Sequence, residues 1–520
     1  MKLHKILDSR LAVVFIIPFL LGFFSVLSFQ PFNFTFINFL IIPCFFLILM
    51  YVKKKSKNVY RKKPYFKNLF LVGYFFGIGF FMSGIYWIAN SLTYDEKFFI
   101  LIPFALTLIP LFLGLFFGLG TLVVGPFIAS NFTSILIFCS SLSLVDFLRS
   151  KILTGFPWNL WAYSWSWFPE VLQLLNPIGL FAFNLLSLTI FCGPLLLIFG
   201  QKKINIPIFF ILLLLFFSNY IYGSYKIEKE EQKYENTNFT ENNSLNIKIV
   251  SPNFDLKYNQ TPADIETSIK KLIRYSESGK SKKTIFIWPE GVFTGYELQE
   301  IKNFKSLFKE KFTKNEIVIF GINTREKSSE NYYNSMIAIN NNFDILYKYN
   351  KMKLVPFGEF LPLESFLNKF GFKKITQGHG SFLKGKIQEN LTIDNFKILP
   401  LICYEIIFTE LTQNNNFNLI FNISEDAWFG ESIGPHQHFA KAIFRAVESN
   451  TYVARSANQG ISAFIKNTGK VAKRLEPNET GNIELKIATV NNNLKNRNDL
   501  IFFILLFTYT VIFFIFRDKL

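Results

Sequence analysis

Apolar and polar positions divide the chain into unequal parts. Runs of about 20 apolar residues, long enough to span a bilayer as helices, fall at 11–29, 34–52, 69–91, 98–120, 126–148, 170–199, 206–223 and 499–516. Gly114, Gly118, Gly120 and Gly125 blur the helix boundaries within 98–148. Between these groups the pattern changes to short apolar runs mixed with helix-period segments. LNIKIVSPN (245–253), KTIFIWPE (283–290), NEIVIFGIN (315–323), NYYNSMIAINNN (331–342) and FDILYKYNK (343–351) read as strands, as does the run Ile398 to Ile402. TPADIETSIKKLIRYSES (261–278) reads as a helix with Thr261 as its cap and Pro262 at its first position. The pattern predicts seven spans over 1–224, a polar linker at 225–245, a layered α/β domain at 246–492 and a C-terminal span at 499–516.

The first apolar run follows Met-Lys-Leu-His-Lys. It is too long for a secretory signal and has no small-residue cleavage site, so it is read as retained. Lys2, Lys5 and Arg10, the KKKSKNVYRKK loop (53–63), Lys202 with Lys203, and Arg517 with Lys519 all fall on one side, which the positive-inside rule makes cytoplasmic. Both termini are then cytoplasmic and the α/β domain lies outside the inner membrane, in the periplasm of a double-membraned bacterium. Arg149 and Lys151 are exceptions. The net charge of +18 partly reflects this topology. The α/β domain has no basic stripe with interleaved aromatics, so nucleic-acid binding is not expected.

Composition sharpens two places. Of the cysteines, Cys44, Cys139 and Cys192 lie in apolar spans, and only Cys403 falls in the exported domain. An oxidising compartment favours paired cysteines, so a single free thiol there calls for a reason. Tryptophan clusters too: Trp87, Trp158, Trp161, Trp165 and Trp167 fall on the same side as the α/β domain. An aromatic belt would explain them. The density of GFPWNLWAYSWSWFPE (155–170) suggests instead an ordered interfacial loop, with Trp158 and Trp161 in the floor of a site.

Cys403 ends an apolar strand in KILPLICYEIIF (397–408), and Glu290 ends another in TIFIWPE. Residues at strand carboxyl ends face the ligand crevice of α/β sheets. A nearby carboxylate could serve the thiol as general base, and a lysine could help ionise it. YKYNKMKLVPFGEFLPLE (347–364) offers Lys348, Lys351 and Lys353, and its spacing does not choose among them. His436 and His438 lack the further ligands of a metal site, and no Ser-His-Asp arrangement or Gly-rich phosphate loop stands out. No metal is expected.

WPE (288–290), YNKMKLVPFGEFLP (349–362), ICYE (402–405) and NISEDAWFG (422–430), in that order, resemble the nitrilase or carbon–nitrogen hydrolase superfamily. With the eight spans, the GFPW segment and the LVPFGE loop, the whole chain resembles the apolipoprotein N-acyltransferases within it. The resemblance implies a nitrilase-like α-β-β-α sandwich joined to a multi-pass helical membrane domain. It implies Glu290 as general base, Lys351 as cationic stabiliser and Cys403 as nucleophile. Glu359 matches a glutamate that supports the lysine. The N–H of Tyr404 matches an oxyanion-hole donor, and Glu405 and Trp428 match positions important for activity. Two segments depart from the pattern, VSPNF at the first strand and TQGHGSFL around His379, so Asn253 and His379 receive no role.

The resemblance further implies a two-step reaction without metal or organic cofactor. Cys403 takes an acyl chain from the sn-1 ester of a phospholipid as a thioester. The α-amino group of the N-terminal diacylglyceryl-cysteine of an apolipoprotein then receives it. Phe360, Phe366 and Phe370, in EFLPLESFLNKFGF (359–372), suggest a mobile lid dipping into the interface. A membrane-tethered amidase is the alternative within enzymes. A transporter with an exported binding domain is the alternative outside them, and the nearly charge-free spans, Asp146 excepted, argue against it.

Overall fold

The structure, a computed structural model, describes residues 9–517 except 60–63, 238, 241–242, 258–259, 279–282, 327–330, 368, 370–373, 375–380, 388, 414–415 and 489–498. It divides into two compact units, one of Met1–Ile227 with Arg497–Leu520 and one of Glu228–Asn496.

The first unit is helical. Among the described residues, six helices are long and apolar enough to cross a membrane: Thr35–Lys55, Tyr65–Gly84, Glu96–Phe127, Phe132–Lys151, Leu180–Ile198 and Lys202–Glu235. Ala12–Ser28 and Leu500–Phe516 are shorter apolar helices, so each of the eight expected runs contains one. Three boundaries differ from expectation. The expected run 170–199 is broken: short helices Pro169–Leu172 and Leu175–Ile178 precede Leu180–Phe191, and Gly179 turns the chain at φ +80°. Pro169, Pro177 and Gly179 cannot sustain one continuous helix there. Within 98–148 the break falls after Val124, and the next helix starts where the Asn131 side chain accepts the Ser134 N–H at 3.0 Å. The expected linker is helical at its start, because the strong helix formers of KIEKEEQKYE extend Lys202–Glu235.

Small residues let these helices approach. A Cβ at Gly22 would stand 2.0 Å from the Phe76 carbonyl oxygen, and one at Gly79 would stand 2.1 Å from that of Phe19. Among the described residues, one charge pair is buried in this unit. Arg149 donates to Asp146 at 2.9 Å and to the Phe156 carbonyl, while Asn184 donates to Asp146 at 3.0 Å and accepts the Ala162 N–H at 2.9 Å. A buried pair is tolerable only when hydrogen-bonded in this way. Arg149 and Asn184 thus hold the tryptophan-rich segment at Phe156 and at Ala162.

The second unit is a sandwich. Its strands are β1 (Ser244–Ser251), β2 (Thr284–Ile287), β3 (Glu316–Arg325), β4 (Tyr332–Ile339), β5 (Ile345–Asn350), β6 (Leu391–Ile393), β7 (Phe396–Ile402), β8 (Leu419–Glu425), β9 (Tyr452–Asn458), β10 (Ser462–Ile465), β11 (Val471–Leu475) and β12 (Gly481–Ala488). They form two six-stranded sheets, ordered β12-β1-β2-β3-β4-β5 and β11-β10-β9-β8-β7-β6. Strands β1–β2–β3 and β7–β8–β9 are parallel, and the flanking pairs are antiparallel.

Alternation along each strand decides what it buries. Ile247, Ile249, Ile285, Ile287 and Ile319 of the first sheet meet Ile398, Ile402, Leu419, Phe421 and Ile423 of the second. The intervening Val250, Phe286, Val318 and Phe320 face outward onto Ile265, Ile269 and Leu272 of the helix Pro262–Ser276 and onto Phe308. That helix begins at Thr261 in a capping box with Asp264. The helix Gly434–Ser449 packs against β9 of the other sheet, completing the α-β-β-α layering.

Candidate functional site

Four strand ends of the sandwich bring together residues far apart in sequence. Glu290 lies just past β2, Lys351 just past β5 and Cys403 just past β7, and β8 ends at Glu425. All four are buried.

Glu290 is held by three donors. Its Oε1 accepts from Asn334 at 2.7 Å and from the Lys351 ammonium at 3.4 Å, and its Oε2 accepts the Glu425 backbone N–H at 3.1 Å. The Lys351 ammonium also donates to Glu359 Oε1 at 2.9 Å. Asn334 donates to that same oxygen at 2.7 Å, so its side-chain amide bridges the two carboxylates, while its backbone carbonyl accepts the Lys351 backbone N–H at 2.9 Å. The other Glu359 oxygen accepts the Val355 N–H at 2.8 Å, closing the loop after Lys351 on itself. Burial opposes the charge on Lys351, but Glu290 and Glu359, with the field of Cys403, outweigh it and hold the ammonium above its usual range.

Cys403 opens a single 3₁₀ turn, Cys403–Ile407, directly from the end of β7. Its φ of +51° is left-handed, a conformation that costs a non-glycine residue on the order of 1–3 kcal/mol. The residue is 9% exposed. Burial, and then the negative charges of Glu290 and Asp426, hold the thiol above its usual range, while Lys351 and a hydrogen bond from Ser424 pull the other way. At rest it is a protonated thiol facing a carboxylate and an ammonium. That arrangement can move a proton from sulfur to carboxylate and hold a developing oxyanion.

Glu405 feels the Lys351 charge but makes its hydrogen bonds elsewhere. Its Oε1 accepts the backbone N–H groups of Met352 at 2.6 Å and Lys353 at 3.0 Å, and its Oε2 accepts that of Ile402 at 2.8 Å. The Tyr349 hydroxyl donates to both oxygens, at 2.9 and 3.0 Å. One carboxyl thus ties the chain beside Lys351 to the chain beside Cys403. Burial pushes it up to about 7, against the pull of these N–H groups and of Lys351.

Comparisons with known proteins identify the family. Residues 21–193 match the apolipoprotein N-acyltransferase N-terminal domain, and residues 256–495 match the carbon–nitrogen hydrolase family. An apolipoprotein N-acyltransferase of Rickettsia prowazekii is 32% identical over 485 residues, 90% of this chain and 91% of its own. The chain belongs to the apolipoprotein N-acyltransferase family. A second relative of that name, from Brucella melitensis, is 30% identical over 428 residues, 79% of this chain and 78% of its own. Among solved structures, a carbon–nitrogen hydrolase superfamily protein of Xanthomonas campestris is similar over 47% of this chain and 91% of its own, at 15% identity and a TM-score of 0.35.

The remaining residues singled out in the sequence fall in several places. Tyr404 is buried beside Phe408 at 5.0 Å, and Trp428 lies on the 3₁₀ turn Asp426–Phe429 that follows β8. Phe360 is half-buried, and its carbonyl accepts the Phe357 N–H at 2.8 Å. Phe366 lies on the helix Glu364–Leu367, and Phe370 and His379 lie outside the described residues. In the membrane unit Trp158 packs against Trp87 at 4.6 Å, and Trp161 packs against Phe80 at 5.0 Å. Both rings are closed inside the unit rather than lying open as a floor. His438 is buried against Asp426 at 3.0 Å and is pushed down to about 4, first by burial and then by Arg455. No group of three or more metal-ligating side chains occurs among the described residues. Asn334, Tyr349 and Glu425 were not singled out from the sequence. NYYNSM reads as ordinary strand, and only the β4–β5 pairing turns Asn334 toward the lysine.

Proposed function

We propose that the chain N-acylates apolipoproteins through a thioester on Cys403, in two half-reactions. In the first, Glu290 accepts the thiol proton and the sulfur attacks the sn-1 ester carbonyl of a phospholipid. The C–S bond forms, the C–O bond breaks, and Glu290 returns the proton to the departing lysophospholipid oxygen. In the second, the α-amino group of a diacylglyceryl-cysteine attacks the thioester. Nitrogen gains the acyl group, and the thiol regains its proton through Glu290. Lys351 faces the negative charge that develops on the carbonyl oxygen in both steps. Glu359 and Asn334 fix the ammonium, and Glu405 fixes the two loops.

The observation that carries this reading is the buried ammonium shared by Glu290 and Glu359 at 3.4 and 2.9 Å, whose charge is felt by the Cys403 thiol. The charge pattern supports cytoplasmic termini and a periplasmic sandwich. The test is intact-mass measurement of the full chain after incubation with dipalmitoyl phosphatidylethanolamine. A palmitoyl adduct should form on the wild type, be absent from Cys403→Ser, and move to an added diacylglyceryl-cysteine peptide. An adduct lost to water at the same rate with or without peptide would make the chain a hydrolase, and no adduct would refute the thioester.

A further inference from the structure

Glu425 is a second carboxyl beside Glu290, and its surroundings are unlike those of the first. Its side chain is 3% exposed. Asn458 Nδ2 donates to both its oxygens at 3.0 Å, and the Ala427 N–H donates to Oε1 at 3.1 Å. The Asn458 amide cannot turn round, because its oxygen accepts the Phe254 N–H at 2.8 Å while its nitrogen donates to the Phe254 carbonyl at 2.9 Å. No lysine, arginine or histidine lies within ion-pair distance of Glu425 among the described residues. The charged groups facing it are both negative: Glu290 from the loop after β2, and Asp426, the next residue on its own segment, which is itself committed to Arg455 at 2.7 Å. A Cβ on Gly291 would meet its Oε2 at 2.4 Å, so the carboxyl fills the space directly beneath the Glu290 loop. Its own backbone N–H donates to Glu290 Oε2 at 3.1 Å.

Burial without a cation, and two anions for neighbours, keep the proton on such a carboxyl, against the pull of the Asn458 and Ala427 donors. We propose that Glu425 is a protonated positioning residue: a neutral carboxylic acid at pH 7 that seats the Glu290 loop and its hydrogen bond. Glu290 is then left as the negative charge beside the thiol. The two adjacent carboxyls differ in their surroundings: Glu290 faces the Lys351 ammonium, and Glu425 has no cation beside it among the described residues. This rests on Glu290 being the base of the proposed reaction, but its test does not depend on acyl transfer.

The test compares the full-length wild type with Glu425→Gln, which keeps the shape and is neutral at every pH. A group protonated in the fold and ionised in the unfolded chain makes the fold bind more protons. Stability from that group then falls as pH rises from its ordinary value of 4.5, by a tenfold change in the unfolding ratio for each pH unit. The Gln variant lacks this slope. Its melting temperature minus that of the wild type should therefore grow steadily from pH 5.5 to pH 7.5. Any packing cost of the substitution shifts the whole line and leaves the slope intact. A difference that stays constant over that range would overturn the proposal. A second measurement is the infrared difference spectrum at pH 7. The wild type should lose a protonated-carboxyl stretch on substitution, and loss of carboxylate bands instead would also overturn it. If the palmitoyl adduct fails to form while the slope and the stretch are present, the acyl-transfer reading falls and the Glu425 assignment stands.

Discussion

Replacing Glu405 with glutamine should slow acyl-enzyme formation far more than it destabilises the fold, and the structure allows both effects to be sized. The carboxylate accepts from three backbone N–H groups and one hydroxyl. In the Gln variant one oxygen becomes an NH₂ donor. Keeping the carbonyl toward Met352 and Lys353 turns this donor on the Ile402 N–H, leaving a buried N–H unsatisfied at a cost of roughly 1–3 kcal/mol. The surviving bonds drop from charge-assisted to neutral strength, about 1 kcal/mol each. Against this, the variant no longer buries a charge, which relieves about 3 kcal/mol for a carboxyl held at about 7 rather than 4.5. The global terms nearly cancel, so the melting temperature should shift by only a few degrees. The local term does not cancel: the Ile402 N–H loses its anchor, and Cys403 is the next residue. About half of the lost bonding expressed as displacement slows acyl-enzyme formation by roughly 10–100-fold.

Single-turnover intact-mass kinetics with a phospholipid donor measures this directly, with a thermal melt in parallel. The pH dependence adds a sign. Protonating Glu405 below about pH 7 sets an O–H against the same donors, so the wild-type rate should fall there, and the Gln variant should lack that step. Stability runs the other way. The carboxyl is held above its unfolded value, so its contribution is complete below about pH 4.5 and is lost as pH rises toward 7. A Gln variant within threefold of the wild-type rate would refute the clamp.

Two further perturbations test neighbouring parts of the site. Asn334→Leu removes the amide that reaches both Glu290 and Glu359 at 2.7 Å, and it should slow acyl-enzyme formation about 10–100-fold by loss of charge-assisted bonds. The concentration of phospholipid giving half-maximal rate should stay within twofold, and a change confined to that concentration would contradict a positioning role. Cys403→Gly should be more stable than Cys403→Ala by about 1 kcal/mol, because φ of +51° strains alanine and not glycine. Equal melting temperatures for these two inactive variants would show that the turn carries no strain.

What the sequence makes legible is what local pattern decides. Apolar runs ending in Trp288-Pro289-Glu290 or in Ile402-Cys403 announce strands that stop at a polar residue, and strand ends are where such residues meet. Local pattern also carries the signals that break the expected run 170–199, since Pro177 and Gly179 are present in it and Pro169 stands just before it. Run length alone overrides them only if helix breakers are ignored. Asp146 and Arg149 likewise stand at i,i+3 on one helix, a spacing that announces a pair.

Partners that arrive from elsewhere in the chain leave no such trace. Glu425 ends the strand in NLIFNISED, whose local pattern names no partner for its carboxyl. Its neighbour Glu290 is 135 residues earlier, and only the packing of the two sheets brings them together. Glu405 shows the converse. Two residues from the thiol, it invites a reading as part of the chemistry. The 3₁₀ turn that starts at Cys403 instead directs it to the backbone at 352, 353 and 402. Proximity in sequence to a reactive group is therefore weak evidence of contact with it. On a tight turn, a carboxylate can reach its own chain's N–H groups more easily than the nucleophile beside it, and four donors for one carboxyl leave it nothing with which to reach the sulfur.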